Sequence, residues 1–359
     1  METITLPGLV DVHTHLRVPG GEHKEDFASG TAAALAGGVT MVLAMPNTSP
    51  PLTTPEVMRA TCRRAQAEIR CDVGFYAGAS AEDVVHLPTL ADQAVALKIY
   101  LNDTFGKLRI ENVETLVACF KGWPRHKPIA LHAERQSVAV SIALSATYDR
   151  PVHIVHVSRK EEIELIADAK ARGLRVTCEV TPHHLFMDQS HATRLGTLGD
   201  MRPVLGRPED VAALWDHLNT TVDCIATDHA PHTLDEKRSA TPPPGVAGLE
   251  TSLGLMLTAV VQNRLSLMRL IELMHGNPRR IFGLPEQPDT YVEVAMTPNI
   301  IRNENLFTKC GWTPFDGWEV SSRVSRVVLR GRVAYENGRV LSEPGGGRVV
   351  LGESCRGAE

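Results

Sequence analysis

Two histidines stand two residues apart, His13 and His15, at the end of an apolar run over residues 9–15. Alternate side chains of an extended strand leave the same face, so this spacing presents two imidazoles together. That is a chelating arrangement for zinc, although one such pair is equally a pair of polar loop residues. Lys98 interrupts the apolar run Ala96-Leu-Lys-Ile-Tyr100. An unpaired ammonium is costly to bury. Either the side chain reaches solvent or a counter-charge, or its amine has reacted with carbon dioxide to give a carbamate, an anion whose two oxygens can bridge two cations. His132 closes a third apolar run and His156 a fourth. Each alone reads as a structural histidine; two at successive strand ends, after His-x-His and a lysine in an apolar strand, are harder to explain that way. Asp228 follows Cys224-Ile-Ala-Thr227. A carboxylate there caps a turn or meets a cation. Together His13, His15, Lys98, His132, His156 and Asp228 supply four neutral nitrogens and two anionic oxygen groups. That suffices for two divalent cations with room for a bridging hydroxide as nucleophile. Asp228 is the candidate proton shuttle. His153, an odd number of residues from His156, is expected to face away from the site and to be structural.

Arg17 lies two residues beyond His15, and Arg202 falls in Gly199-Asp-Met-Arg-Pro203. Guanidinium forks suit carboxylates, though Arg202 could equally be a surface residue, a reading that is weaker for Arg17. With Asn47 and His232 they describe a pocket for a small anionic substrate.

Eight β-rich runs have to carry these residues: 9–15, 39–45, 72–79, 95–101, 129–134, 152–158, 176–182 and 223–229. Amphipathic stretches at 55–69, 113–123, 159–172 and 208–218 lie between them, with Ile163, Leu165 and Ile166 at helical spacing among charges. Eight strand–helix alternations fit a (β/α)8 barrel, whose polar strand ends are the usual reactive positions. An open doubly wound sheet is the alternative, but no GxGxxG turn supports a nucleotide-binding version. After about residue 280 proline and turn residues become common, and residues 323–341 read as a hairpin around Asn337-Gly338. Residues 239–248, with three prolines and two glycines, read as an ordered or gating loop.

The 359 residues suffice for one large enzyme domain, alone or with a small one. A net charge of −5 leaves no basic excess for nucleic acid. No apolar run reaches the roughly 18 residues of a membrane span, and the longest candidate, residues 31–45, is broken by Gly37 and Gly38. Seven scattered cysteines without a CxxC pair suit a reducing compartment, so a cytoplasmic location is expected.

The run GLVDVHTHLRVPGGEHKEDF resembles the opening of dihydroorotases in the amidohydrolase superfamily. ALKIYLNDTF, ALHAE, VHIVHVSRKEE, VTCEVTPHHLF, DHAPHTLDEK, PPPGVAGLE and NPRRIFGLP continue the resemblance in order. It covers about residues 6–340 and is nearest to the dihydroorotase domain of the multifunctional animal pyrimidine-synthesis protein. It implies a TIM barrel over residues 8–290, with residues 1–7 and 291–359 forming a small β extension. It implies reversible cyclisation of N-carbamoyl-L-aspartate to L-dihydroorotate, the third step of de novo pyrimidine synthesis. It places the first zinc on His13, His15 and Asp228, a carbamate bridge on Lys98, and the second zinc on His132 and His156. Arg17, Asn47, Arg202 and His232 would bind substrate, Pro244 and Gly245 would line the pocket, and Thr104 and Phe105 would belong to a mobile loop. A homodimer, or union with other pyrimidine-pathway domains, is also implied. The animal domain has a third zinc, held by a cysteine and a glutamate. Glu179 matches the glutamate, but Val155 occupies the cysteine position and cannot ligate, so two zincs are expected. A hydantoinase-type cyclic amidase and a catalytically dead scaffold domain are the rival readings.

Overall fold

The computed structural model of the chain describes residues 2–104 and 108–351. After a first strand, β1 (Thr3–Pro7), come β2 (Leu9–Thr14), β3 (Val39–Ala44), β4 (Asp72–Gly78) and β5 (Ala96–Tyr100). They are followed by β6 (Ile129–His132), β7 (Val152–Ile154), β8 (Val176–Val180) and β9 (Cys224–Ile225). Strands β2 to β9 pair in parallel in chain order. The ring closes where Thr14 bridges His229 in parallel and the His15 N–H donates to the His229 carbonyl at 2.7 Å. The fold is a (β/α)8 barrel. All eight expected runs carry a strand, though β7 and β9 stop well short of residues 158 and 229.

The strands are buried on both faces, which is why they read as near-continuous apolar runs. Met41, Leu43, Tyr76, Ala96, Ala130, Val155 and Cys224 form an interior cluster with Phe282 and Leu284. Alternate residues such as Val42, Val73, Phe75, Leu97, Ile99, Leu131 and Ile154 join the larger layer beneath the helices. The four expected helices are present as Pro55–Glu68, Val113–Gly122, Lys160–Ala171 and Pro208–His217. Pro55–Glu68 opens on Thr54, whose hydroxyl accepts the Val57 N–H, and carries proline where no N–H partner is needed. Lys160–Ala171 buries Ile163, Ile166 and Ala169 at one-turn spacing. Among the described residues no helix is long and apolar enough to cross a membrane.

Beyond the barrel lie β10 (Tyr291–Ala295), β11 (Asn299–Ile300), β12 (Glu319–Val320), β13 (Arg323–Leu329), β14 (Arg332–Glu336), β15 (Arg339–Val340) and β16 (Val349–Val350). An antiparallel sheet of order β1-β10-β13-β14-β15 unites the N-terminal strand with this region. The expected single hairpin is a three-stranded meander. Arg330-Gly331 and Asn337-Gly338 both turn with positive φ, and only the second has the strong Asn-Gly signature. Not all of this region is β. Ile301, Trp312 and Phe315 pack with Met201, Val246 and Ala247 of the loops beyond the strand ends.

Asp72, at the start of β4, ties the barrel to this sheet. It accepts from Arg330 Nη1 at 2.7 and 2.8 Å, from Gln287 Nε2 at 2.7 Å and from the Arg348 N–H at 2.9 Å. Removing one member of a buried ion pair strands the other. Asp72→Ala is expected to lower unfolding stability by about 3–5 kcal/mol in urea titration. A loss below about 1 kcal/mol would mean the pair behaves as a solvent-screened one.

Candidate metal centre

His13 and His15 leave the end of β2 with ring centroids 5.5 Å apart. Asp228 follows β9, and its Oδ1 lies 3.3 Å from His13 Nε2 and 3.1 Å from His15 Nε2. The three donor sets fall within 4.8 Å of one another, the grouping among the described residues that could hold a metal ion. His156 continues the row, with its ring 5.2 Å from His13 and 4.5 Å from His132. Lys98 is level with Ala130 across β5–β6 and is fully buried. Its Nζ has no hydrogen-bond partner, and neither has His156 Nδ1.

These unpartnered atoms fit a group that the polypeptide does not itself supply. Burial draws His15 down to about 4 and holds His132 and His156 below the ordinary histidine value, so their imidazoles stay neutral and can ligate. Burial alone would raise Asp228, but His13 and His15 outweigh it and hold the carboxyl well below the usual range. Burial also draws the Lys98 ammonium down to about 8, against the pull of Glu179 and Asp228.

Glu179 does something other than complete a third site. Its Oε1 lies 2.5 Å from His13 Nδ1 and accepts the His156 N–H at 3.3 Å, while Oε2 lies 3.1 Å from His153 Nε2. The interactions with His13 and then His153 overcome burial and draw its carboxyl down to about 2. Both oxygens are engaged, and Val155 lies in the apolar interior. The residues do not fit a third ion; Glu179 instead fixes the outer nitrogen of His13. This also corrects the expectation for His153, which faces inward onto Glu179 and onto Phe282 at 5.2 Å. Strand alternation does not run through to residue 156, because β7 ends at Ile154 and His156 adopts φ 39°.

Of the expected substrate residues, Arg17 is buried, donating from Nε to the Pro231 carbonyl at 3.1 Å and from Nη2 to His232 Nε2 at 3.0 Å. Burial, Arg17 and Lys24 keep His232 neutral, and its Nδ1 faces Glu236 at 3.5 Å. Asn47 Oδ1 accepts from His15 Nδ1 at 2.8 Å, so it orients a candidate ligand as well as lining the mouth. A cavity of about 670 Å³ opens there, bounded by Arg17, Lys24, Asn47 and Leu108. Arg202 is half-exposed and paired with Asp200. Gly245, at φ 137°, lies where a Cβ would meet the Ala230 carbonyl at 2.5 Å, and its N–H donates to the Asp200 carbonyl at 2.9 Å. Lys237 Nζ reaches the carbonyls of Asp200, Pro243 and Gly245, so the proline-rich loop is ordered beside half-buried Pro244. Thr104 is half-buried and irregular; Phe105 lies outside the described residues. Sequence reasoning missed Asp11, which accepts from the His13 and Thr227 N–H groups. The signal was there: Asp11, His13 and His15 share the two-residue period.

The sequence profile of the amidohydrolase family matches residues 4–287. The multifunctional protein CAD of Squalus acanthias is 53% identical over 97% of this chain, and the chain spans 16% of that protein. The dihydroorotase of Pyrococcus furiosus is 33% identical over 97% of this chain and 85% of its own length. This chain belongs to the dihydroorotases of the amidohydrolase family. Among solved structures, an L-hydantoinase (dihydropyrimidinase) from Arthrobacter aurescens superposes with TM-score 0.92 at 24% identity, covering 97% of this chain and 89% of its own; at that identity the likeness speaks for the fold. An inactive dihydroorotase-like domain of a Chaetomium thermophilum CAD-like multifunctional protein has TM-score 0.83 at 27% identity, covering 97% and 99%.

Groups that hold a ligating histidine typically change metal affinity about 10–100-fold when lost. Glu179→Gln is expected to release metal to a chelator at 10–100-fold lower competitor concentration, an effect of about that size. Unchanged retention would show that Glu179 does not orient His13.

Proposed function

We propose that this chain catalyses the reversible cyclisation of N-carbamoyl-L-aspartate to L-dihydroorotate with loss of water. The observation that carries the reading is the burial of Arg17 two residues beyond His15, beside the candidate metal centre. A guanidinium taken out of water at that position suits a substrate bearing carboxylate. A hydantoinase-type substrate, a neutral ring, gives it no such role.

Residues His13, His15 and Asp228 would hold one zinc and His132 and His156 a second, with carbamylated Lys98 between them. The bound metals would supply Lewis-acid polarisation of a carbonyl and an activated water. Arg17 grips the substrate carboxylate, its fork steadied by neutral His232 and the Pro231 carbonyl. In the hydrolytic direction the Asp228 carboxylate takes a proton from the attacking water and hands it to the leaving ring nitrogen. Cyclisation reverses the path and starts from protonated Asp228. Asn47 orients His15, and Arg202, Pro244 and Gly245 border the pocket. The scaffold reading is disfavoured because all six principal positions carry a competent side chain. A cytoplasmic homodimer, or a place beside other pyrimidine-pathway domains, belongs to the same proposal; the second is supported by the small share of the CAD protein that the chain matches.

The reading is tested by supplying purified protein with zinc and bicarbonate and following the appearance and disappearance of dihydroorotate in both directions. Turnover of dihydrouracil without turnover of dihydroorotate would transfer the assignment to the hydantoinase type. Carbamylation adds a pH signature. Carbon dioxide reacts with the neutral amine, and Lys98 reaches half-neutral near the value of about 8 set by burial. At fixed dissolved carbon dioxide, reactivation of chelator-stripped protein should quicken from pH 7 and level off about one unit above that midpoint. A rate flat across that range, or Lys98→Ala that keeps its activity, would remove the carbamate from the site.

A further inference from the structure

Tyr100 ends β5 two residues beyond Lys98, so both side chains leave the strand on one face. The centroid of its ring lies 5.1 Å from Lys98 Nζ and 6.0 Å from that of the His132 ring. The residue is 3% exposed, and its hydroxyl is buried without a hydrogen-bond partner. A dry, unpaired hydroxyl destabilises a fold, and buried polar atoms are nearly always satisfied. Tyr76, on the neighbouring strand, shows the ordinary outcome: its hydroxyl donates to the Val12 carbonyl at 2.8 Å. The Tyr100 hydroxyl is an O–H donor carried on a ring that adjoins Lys98 and His132.

We propose that the Tyr100 hydroxyl is a catalytic hydrogen-bond donor to the oxygen of the amide carbonyl under attack, countering the negative charge that grows there. The proposal rests on the dihydroorotase reading. The carboxylate already has Arg17, whereas the Tyr100 ring adjoins Lys98 and His132 on the side where the carbonyl must be attacked. Tyr100 transfers no proton. In hydrolysis the carbon–oxygen bond forms, the ring carbon–nitrogen bond breaks, and the proton travels by Asp228; Tyr100 keeps its own throughout. Such a donor contributes when it binds the transition state more tightly than the ground state.

Tyr100→Phe removes one atom and leaves the ring packing in place. In the metal-loaded full chain, kcat should fall about tenfold or more in both directions, with KM within about twofold of wild type. Metal content should be unchanged. Tm should hold or rise, because the variant deletes an unsatisfied buried group. A structural role would instead lower Tm. Wild-type kcat in Tyr100→Phe overturns the proposal, and so does a loss of bound zinc, which would make the hydroxyl a support for the Lys98 side of the centre. Wild-type protein is assayed first: if it turns over neither N-carbamoyl-L-aspartate nor L-dihydroorotate, the functional reading itself fails. If wild type is active and the variant matches it, only the role of Tyr100 falls.

Discussion

The seam between the last and first barrel strands is the constraint on which the rest depends. His13 and His15 come from β2 and Asp228 from just after β9, so the chelating group exists only if the ring closes in register. Closure is written in short contacts: the His15 N–H on the His229 carbonyl, and Asp11 accepting from both His13 and Thr227. Burial pushes the Asp11 carboxyl up to about 7 in spite of those donors, so this fastening is itself a carboxyl held in a dry place. Slipping either strand by one residue would turn its side chains to the opposite face and dissolve the site.

Concentrating so many polar groups in a dry barrel mouth is unfavourable, and the structure offsets the cost locally. Glu179 answers His13 and His153; Asn47 answers His15; Glu134 lies 3.2 Å from His132. Left without a partner are Lys98 Nζ, His156 Nδ1, His183 Nε2 and Tyr100 Oη, atoms that incoming groups could satisfy. The backbone pays as well. Arg17, His156 and Asp228 all adopt positive φ, a conformation that side chains with a Cβ resist. Three such residues within one site, each aiming a charged or ligating group, match the tendency of local strain to gather at functional positions.

This geometry also marks where the sequence could and could not be read. Strand positions were legible because parallel strands, buried on both faces, leave continuous apolar runs, and the chemical residues sit at the ends of those runs. Lys98 stood out for the same reason. Periodicity stopped working where the strand stopped: the inward turn of His153 and the left-handed kink at His156 cannot be inferred from spacing. Nor can the partner of a buried carboxylate. Glu179 reads equally as a ligand or as a brace until its two oxygens are seen on His13 and His153. The region after the barrel was legible where Asn337-Gly338 marks a turn, but not where Trp312 donates to the His232 carbonyl at 2.7 Å, a contact spanning 80 residues of chain.

A shared barrel does not by itself choose among hydrolysing a neutral ring, closing a dicarboxylate, and doing no chemistry at all, since an L-hydantoinase and an inactive dihydroorotase-like domain both superpose on this chain. The choice turns on whether a burial cost has a use. Removing a guanidinium from water is expensive, and burial draws Arg17 down to about 10. A neutral ring would leave that expense unexplained. So would an inert scaffold, in which neither a desolvated arginine nor an unpartnered lysine has anything to stabilise. Neutral His232 holds one Arg17 nitrogen through a ring lone pair. The Pro231 carbonyl and His232 thereby hold the fork in one orientation, as a group that is to grip an arriving carboxylate requires.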